Sequence, residues 1–214
     1  MIIYQSLMEK TTSNTYVPSV GVFTLESSQT DKKLLYILGI TNEEDITDKK
    51  LRELREQRGY GDVLDWIKQN PYLAVIIILY LKYKDQKDVG SRILNELKIK
   101  DKDQAQKILS FVKVLSLYLE LKPEEKQNAG EIILNKLKIE NGKQAQKVLN
   151  FVKILRGADN FLTVVNNTYK QKGQNAEIWL KNAQSKIREL FTIKINGQEV
   201  WLRESEVYQF WGHL

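Results

Sequence analysis

The stretch "GSRILNELKIKDKDQAQKILSFVKVL", from Gly90 to Leu115, occurs again forty residues later as "GEIILNKLKIENGKQAQKVLNFVKIL", from Gly130 to Leu155. The two segments are identical at 16 of their 26 positions. Each starts with a short run at helical spacing, passes through a polar turn and ends in a longer helical run from about Gln104 or Gln144. The sequence therefore predicts a duplicated unit made of a short helix, a turn and a long helix.

Apolar residues recur at helical spacing in each long helix and predict its buried face. These residues are Ala105, Ile108, Leu109, Val112 and Leu115 in the first copy, and Ala145, Val148, Leu149, Val152 and Leu155 in the second. Polar residues form rows on the other side of the helix. The main rows are Gln106, Ser110 and Lys113, matched by Gln146, Asn150 and Lys153, with Lys107 and Lys147 beside them.

Several of these polar positions are unchanged between the copies, including Gln104, Gln106, Lys107 and Lys113. Solvated positions normally diverge early, because surface substitutions cost less than about 0.5 kcal/mol. Selection for a binding surface is one explanation of why these polar residues are identical in the two copies. A recent duplication, or residues chosen for helix propensity, explains it as well.

A short helix, a turn and a long helix bearing Lys and Gln resemble, in shape only, the helix-turn-helix modules that place their second helix in the DNA major groove. The turn is about one residue longer than in those modules and lacks a central glycine. Between Asp88 and Gly157 there are 14 Lys and Arg against 9 Asp and Glu, which suits a phosphate backbone. Lys outnumbers Arg 26 to 7, which favours sequence-tolerant contact over base reading.

The sequence thus predicts a non-enzymatic nucleic-acid-binding protein, with DNA preferred over RNA, that contacts the phosphate backbone through the two repeated helices. The predicted contact residues are Lys98, Gln104, Gln106, Lys107, Lys113, Lys138, Gln144, Gln146, Lys147 and Lys153. A helical protein-interaction module is the alternative, because repeats of this length also build solenoids. A viral or plasmid-type inhibitor, a subunit of a nucleoprotein assembly and a homo-oligomer belong to this alternative.

The residue types present exclude several kinds of catalysis. The chain has no cysteine and one histidine, His213, so thiolate chemistry, zinc-cysteine sites and Ser-His schemes are excluded. The acidic run "NEEDITD" (42–48) precedes a helical pattern and is expected to cap it. We expect no metal and no cofactor, and a carboxylate-dependent enzyme is the third hypothesis.

Two further stretches bear on localisation and on the binding surface. The start "MIIYQSLMEK" does not resemble a secretory signal, and the apolar run 72–81 is too short to span a bilayer, so we expect a cytoplasmic protein without a membrane contact. Arg52, Arg55 and Arg58 fall on one helical stripe beside Tyr60. That pattern is found on nucleic-acid surfaces, but ion pairs with the interleaved Glu53 and Glu56 explain it too and are favoured.

The predicted fold is a mainly α-helical bundle, packed as one globular unit, with three segments along the chain. Residues 1–47 contain short strands, residues 48–157 are helical and contain the repeat, and residues 158–214 contain helices and a β-hairpin at 191–203. Asn196-Gly197 is the preferred two-residue hairpin turn, which pairs Lys194 with Glu199, Ile193 with Val200 and Phe191 with Leu202. A short final helix is predicted in "ESEVYQFW".

Overall fold

The prediction of a mainly helical protein is confirmed by a computed structural model, which describes residues 20–140 and 142–201. The α-helices of these residues are α1 (Val20–Ile37), α2 (Asp48–Glu56), α3 (Tyr60–Gln69), α4 (Pro71–Tyr83), α5 (Val89–Glu96), α6 (Lys102–Leu119), α7 (Ala129–Leu137), α8 (Gly142–Gly157), α9 (Asp159–Lys172) and α10 (Ala176–Phe191). Short 3-10 turns lie at Glu43–Asp45, Pro123–Asn128 and Gly173–Asn175. A hairpin of β1 (Thr192–Ile195) and β2 (Gln198–Trp201) follows α10.

Helix α1 corrects the prediction of strands in residues 1–47 from residue 20 onward. The part of that prediction before residue 20 lies outside the described residues. β-branched and aromatic residues favour strands in the first thirty positions, but this local preference is overridden by packing. Leu34, Leu35, Ile37 and Leu38 lie at helical spacing and are buried, so helix formation places them together in the core.

Helix α4 is the central element of the bundle. The apolar run that is too short to cross a membrane lies in this helix, and residues 71–79 are all buried. Pro71 occupies the first turn, where its missing N–H costs nothing. Helices α3, α5, α6 and α10 all pack against α4, and the buried apolar residues from α1 to α10 form one contiguous cluster.

The two copies of the repeat form α5 with α6 and α7 with α8. Each short helix ends at a lysine with positive φ, 56° at Lys98 and 55° at Lys138. The next residue donates its N–H to a carbonyl five positions back, from Ile99 to Leu94 and from Ile139 to Leu134, at 3.0 Å in both copies. This turn normally uses glycine, because a Cβ is unfavourable in the left-handed region.

The buried face of the long helices differs from the predicted stripe. Leu109 and Leu149 remain 41% and 39% exposed, whereas Phe111 and Phe151 are almost fully buried. The two phenylalanine rings meet edge to face, with centroids 5.3 Å apart. Helix α6 contacts α8 as well as α4 and α5, so its buried surface extends around to Phe111, and Leu109 is left at the edge.

The C-terminal hairpin turns at Asn196 and Gly197, which have φ of 50° and 79°, as a type I′ turn requires. Lys194 pairs with Glu199 and Ile193 with Val200. Phe191, placed in the hairpin by the sequence, is instead the last residue of α10. Its predicted partner Leu202, the predicted final helix and His213 lie outside the described residues.

The hairpin is anchored to the bundle at two points. Trp201 packs edge-on against Tyr72 of α4, with ring centroids 5.1 Å apart. The Arg188 guanidinium of α10 donates to both carboxylate oxygens of Glu199. These hydrogen bonds outweigh partial desolvation and lower the pKa of Glu199. The contacts stabilise a two-stranded unit that is marginal by itself.

Candidate binding cleft between the repeats

A cleft of about 470 Å³ lies between α6 and α8, and the C-terminal end of α7 closes one side of it. We call it the repeat cleft. Its lining residues are Asp103, Gln106, Lys107, Ser110, Lys113, Val114, Leu137, Ile139, Gln144, Lys147, Val148 and Phe151. The cleft exists because Phe111 and Phe151 hold the two long helices together below it.

Three lysines, Lys107, Lys113 and Lys147, face this cleft, and one carboxylate, Asp103, accompanies them. Lys113 and Lys147 form no salt bridge with any described residue. Two cationic side chains therefore lie in one concave surface without a carboxylate partner from residues 20–140 or 142–201. Clefts lined by one sign of charge attract ligands of the opposite sign.

The remaining lining groups are of two kinds. Gln106, Ser110 and Gln144 bring hydrogen-bonding groups to the walls, and the Ser110 hydroxyl donates to the Gln106 carbonyl at 2.8 Å. Apolar residues line the rest of the surface, namely Val114, Leu137, Ile139, Val148 and Phe151. The cleft can thus hold an anionic group at its lysines and a less polar part of the same ligand below them.

The structure brings half of the sequence-predicted contact residues into the cleft: Gln106, Lys107, Lys113, Gln144 and Lys147. The other five lie elsewhere. Gln104 is in the first turn of α6, where its N–H donates to the capping Asp101 side chain at 2.7 Å. Gln146 donates to Asn150 at 3.0 Å on the outer side of α8, and Lys153 is exposed outside the cleft.

Lys98 and Lys138 are exposed at the ends of the short helices. Lys138 lines a separate shallow depression between α7 and α8, together with Leu134, Ile139 and Leu149. Because Ile139 also lines the repeat cleft, Lys138 is next to its edge. Lys98 has no corresponding place beside the cleft.

Equivalent residues of the two copies consequently have different surroundings. Lys113 lines the cleft, whereas its counterpart Lys153 lies outside it, although both side chains are exposed. Helix α8 contacts α6, and Gln106, Ser110 and Lys113 remain exposed along the cleft. The two copies thus differ in which of their predicted contact residues line the cleft.

The sequence did not identify Asp103, Leu137 or Ile139 as part of the site. Asp103 is one helical turn before Gln106 and Lys107, so extending the polar row backwards would have found it. Leu137 and Ile139 belong to the other copy, and no spacing along the chain shows that they face α6.

The resemblance of the repeat to a helix-turn-helix module stays a prediction. The second helix of such a module must present a free face to the major groove. Gln106 and Lys113 are exposed, and they line a cleft whose other wall is formed by α8.

The arginine stripe is also partly structural. Arg55 points inward to Asp31 of α1 and Asp65 of α3, and Lys68 joins the same carboxylates at 3.0 Å. Asp31 is only 3% exposed. Desolvation opposes ionisation of Asp65, but hydrogen bonds from Lys68 and Arg55 outweigh it and lower its pKa. Arg55 therefore ties three helices together, rather than pairing with Glu53 or Glu56.

Comparison of the chain with protein-family models, with curated proteins and with solved structures finds no match. Within residues 20–140 and 142–201, no helix has both the length and the apolar character needed to cross a bilayer. The same residues contain no group of three or more histidines, cysteines, aspartates or glutamates arranged to hold a metal ion.

Proposed function

We propose that this protein binds nucleic acid without catalysing a reaction, and that the strand's phosphates contact the lysines of the repeat cleft. The observation that carries the proposal is the position of Lys107, Lys113 and Lys147 around one concave surface with a single carboxylate. Lysine is a point charge that binds phosphate without a fixed geometry. Contact with the backbone is therefore tolerant of sequence.

The shape of the cleft favours a single strand over a duplex. The walls are two helices in direct contact, and a cleft of about 470 Å³ suits a single chain of nucleotides better than a double helix. A single strand lying along the cleft places phosphates at the lysines, within reach of the amides of Gln106 and Gln144. Positively charged grooves that track the backbone are the usual means of binding single strands.

Lys138, next to the edge of the cleft, extends this surface, and Lys98 has the same backbone conformation but lies away from the cleft. The four residues after Ile99 and Ile139 differ at every position, Lys-Asp-Lys-Asp at 100–103 and Glu-Asn-Gly-Lys at 140–143. The lysine with positive φ is nevertheless retained in both copies, together with the leucine before it and the isoleucine after it. Retention of a conformationally costly residue supports a functional side chain.

The experiment is a salt series of binding isotherms with single-stranded and duplex oligonucleotides of the same sequence. Binding through about three phosphates predicts a slope of log affinity against log salt near −2 for a single strand, at about −0.7 per contact. Tighter binding of the single strand is expected. If neither oligonucleotide binds at low salt, nucleic-acid binding is wrong; if the duplex binds better, only the strand preference is wrong.

A second candidate ligand is an acidic peptide, and the apolar surface of the cleft is the observation that favours it. Val114, Leu137 and Ile139 would accept apolar side chains while the lysines bind carboxylates, as in groove recognition of amphipathic helices. This function belongs to the protein-interaction class. It is supported if a Glu/Leu-rich helical peptide binds at low salt and the oligonucleotides do not.

A further inference from the structure

A second pocket of about 470 Å³ lies on the opposite part of the fold, between the C-terminal end of α1, the loop that follows it and α10. We call it the α1–α10 pocket. Its principal side chains are Tyr36, Asn42, Lys172, Trp179, Asn182 and Lys186. None of them belongs to the repeat, so this pocket is separate from the cleft proposed above.

The walls of the pocket are held in place by hydrogen bonds to the last carbonyls of α1. The Trp179 indole N–H donates to Ile37 at 3.0 Å, and the Thr168 hydroxyl donates to Leu38 at 3.0 Å. Gly39 then turns the chain with φ of 72°, and a Cβ there would lie 3.0 Å from Thr168 Cγ2. The pocket is therefore preformed, as small-molecule sites usually are.

Its charges favour an anion. Lys172 and Lys186 are exposed on the pocket walls and form no salt bridge with a described residue. One carboxylate, Asp45, also lines the pocket, and it already accepts a hydrogen bond from the Asn42 amide at 3.1 Å. Two ammonium groups against one carboxylate leave the pocket positive.

The aromatic side chains of the pocket favour a ligand that contains a planar ring. Trp179 is half-buried, and its orientation is fixed by its hydrogen bond to Ile37. Tyr36 is 39% exposed, and the Lys186 ammonium lies 4.5 Å from its ring centroid. Aromatic side chains bind bases by stacking, and lysines beside them reach phosphate. The volume lies within the usual range of about 300–1,000 Å³ for small-molecule sites.

We infer that the α1–α10 pocket binds a nucleotide, with the ring against Trp179 and the phosphate at Lys172 and Lys186. The same chemistry is offered by a free mononucleotide and by the 5′-phosphorylated end of a strand. The inference does not depend on the repeat cleft, because the two sites share no residue.

Calorimetric titration with adenosine 5′-monophosphate, adenosine and inorganic phosphate tests the inference. Saturable binding of the nucleotide is expected, with adenosine and phosphate each at least about tenfold weaker, because each lacks one of the two contacts. Lys172→Gln should weaken nucleotide binding about tenfold. Lys170→Gln, an exposed change on the same helix, and Lys113→Ala in the repeat cleft should leave it unchanged.

Competition against the bound mononucleotide, with a 5′-phosphorylated oligonucleotide and with its 5′-hydroxyl form, distinguishes the end of a strand from a free nucleotide as the ligand. Competition by the phosphorylated form alone indicates a strand end, and competition by neither indicates a free nucleotide. The inference is overturned if the mononucleotide does not bind saturably, if Lys172→Gln binds it as tightly as the wild type, or if Lys113→Ala abolishes its binding.

Discussion

Phe111 and Phe151 occupy the same position in the two copies of the repeat, and their rings pack against each other edge to face, 5.3 Å apart. The duplicated segments are thus each other's packing partners, and both rings are almost fully buried. The contact joins equivalent faces of α6 and α8. The cleft beside it is lined by Lys107 and Lys147 from equivalent positions, but by Lys113 without its counterpart Lys153.

Removal of the Phe151 ring from this contact should destabilise the whole bundle. Phe151→Ala removes a buried ring and leaves a cavity between α6 and α8, with an expected loss of about 3–5 kcal/mol in the free energy of unfolding. Urea denaturation followed by circular dichroism measures it. Ile178→Ala is the control, since Ile178 is 62% exposed and its change should stay within about 0.5 kcal/mol. Equal effects of the two variants would argue against the interface.

Replacing the two lysines that have positive φ should raise the stability of the protein and weaken its binding. Replacing Lys98 and Lys138 by glycine relieves an unfavourable conformation of about 1–2 kcal/mol each, partly offset by the greater freedom of glycine in the unfolded chain. We expect the double variant to be about 1 kcal/mol more stable and to bind single strands less tightly. Lys100→Gly, in the same turn without a positive φ, should not be stabilised. Unchanged affinity in the double variant would remove these lysines from the binding surface.

Replacing Arg55 should destabilise the protein more than replacing Arg58, because Arg55 belongs to the ion cluster with Asp31 and Asp65. Arg55→Met leaves the Asp31 carboxylate, which is 3% exposed, with Lys68 as its remaining cationic partner among the described residues. Loss of one partner of a buried pair costs about 3–5 kcal/mol. Arg58→Met changes an exposed residue and should cost less than about 0.5 kcal/mol. Thermal or urea unfolding of both variants checks this. Comparable stabilities would mean that the cluster is not structural.

Asp65 should contribute to loss of stability in acid. Its pKa in the folded protein lies below the usual value of 3.8, so its contribution is complete above that value and is lost as the pH falls through the folded-state pKa. The urea midpoint of the wild type should therefore decrease from about pH 5 downwards, and that of Asp65→Asn should decrease less steeply. An identical pH dependence in both proteins would contradict the assignment.

Local signals in the sequence predicted the helical class, the Asn196-Gly197 turn and a helical region that contains the apolar run 72–81. Each depends on neighbours a few residues apart, such as a proline after Asn70 or a two-residue turn between alternating strands. Helix α1 was missed because its local composition favours strands, while its helical state depends on burying Leu34 and Leu38 against distant elements.

The candidate cleft was predictable only in part. Periodicity places Gln106 and Lys113 on one row, but it does not show that this row lines a cleft with α8 while Gln146 and Lys153 lie outside that cleft. Spacing likewise could not pair Arg55 with Asp31, 24 residues away, or bring Ile139 to the wall of α6. These relationships are set by how the helices pack together, which spacing along the chain does not show.

The most direct test compares Lys113→Ala with Lys153→Ala in the salt series on a single-stranded oligonucleotide. The two lysines are equivalent in sequence, but only Lys113 lines the repeat cleft. Lys113→Ala should weaken binding and make the slope of log affinity against log salt shallower by about 0.7, the value for one lost phosphate contact. Lys153→Ala should keep the wild-type slope. Equal losses in both variants, or a loss confined to Lys153→Ala, would contradict binding at the repeat cleft.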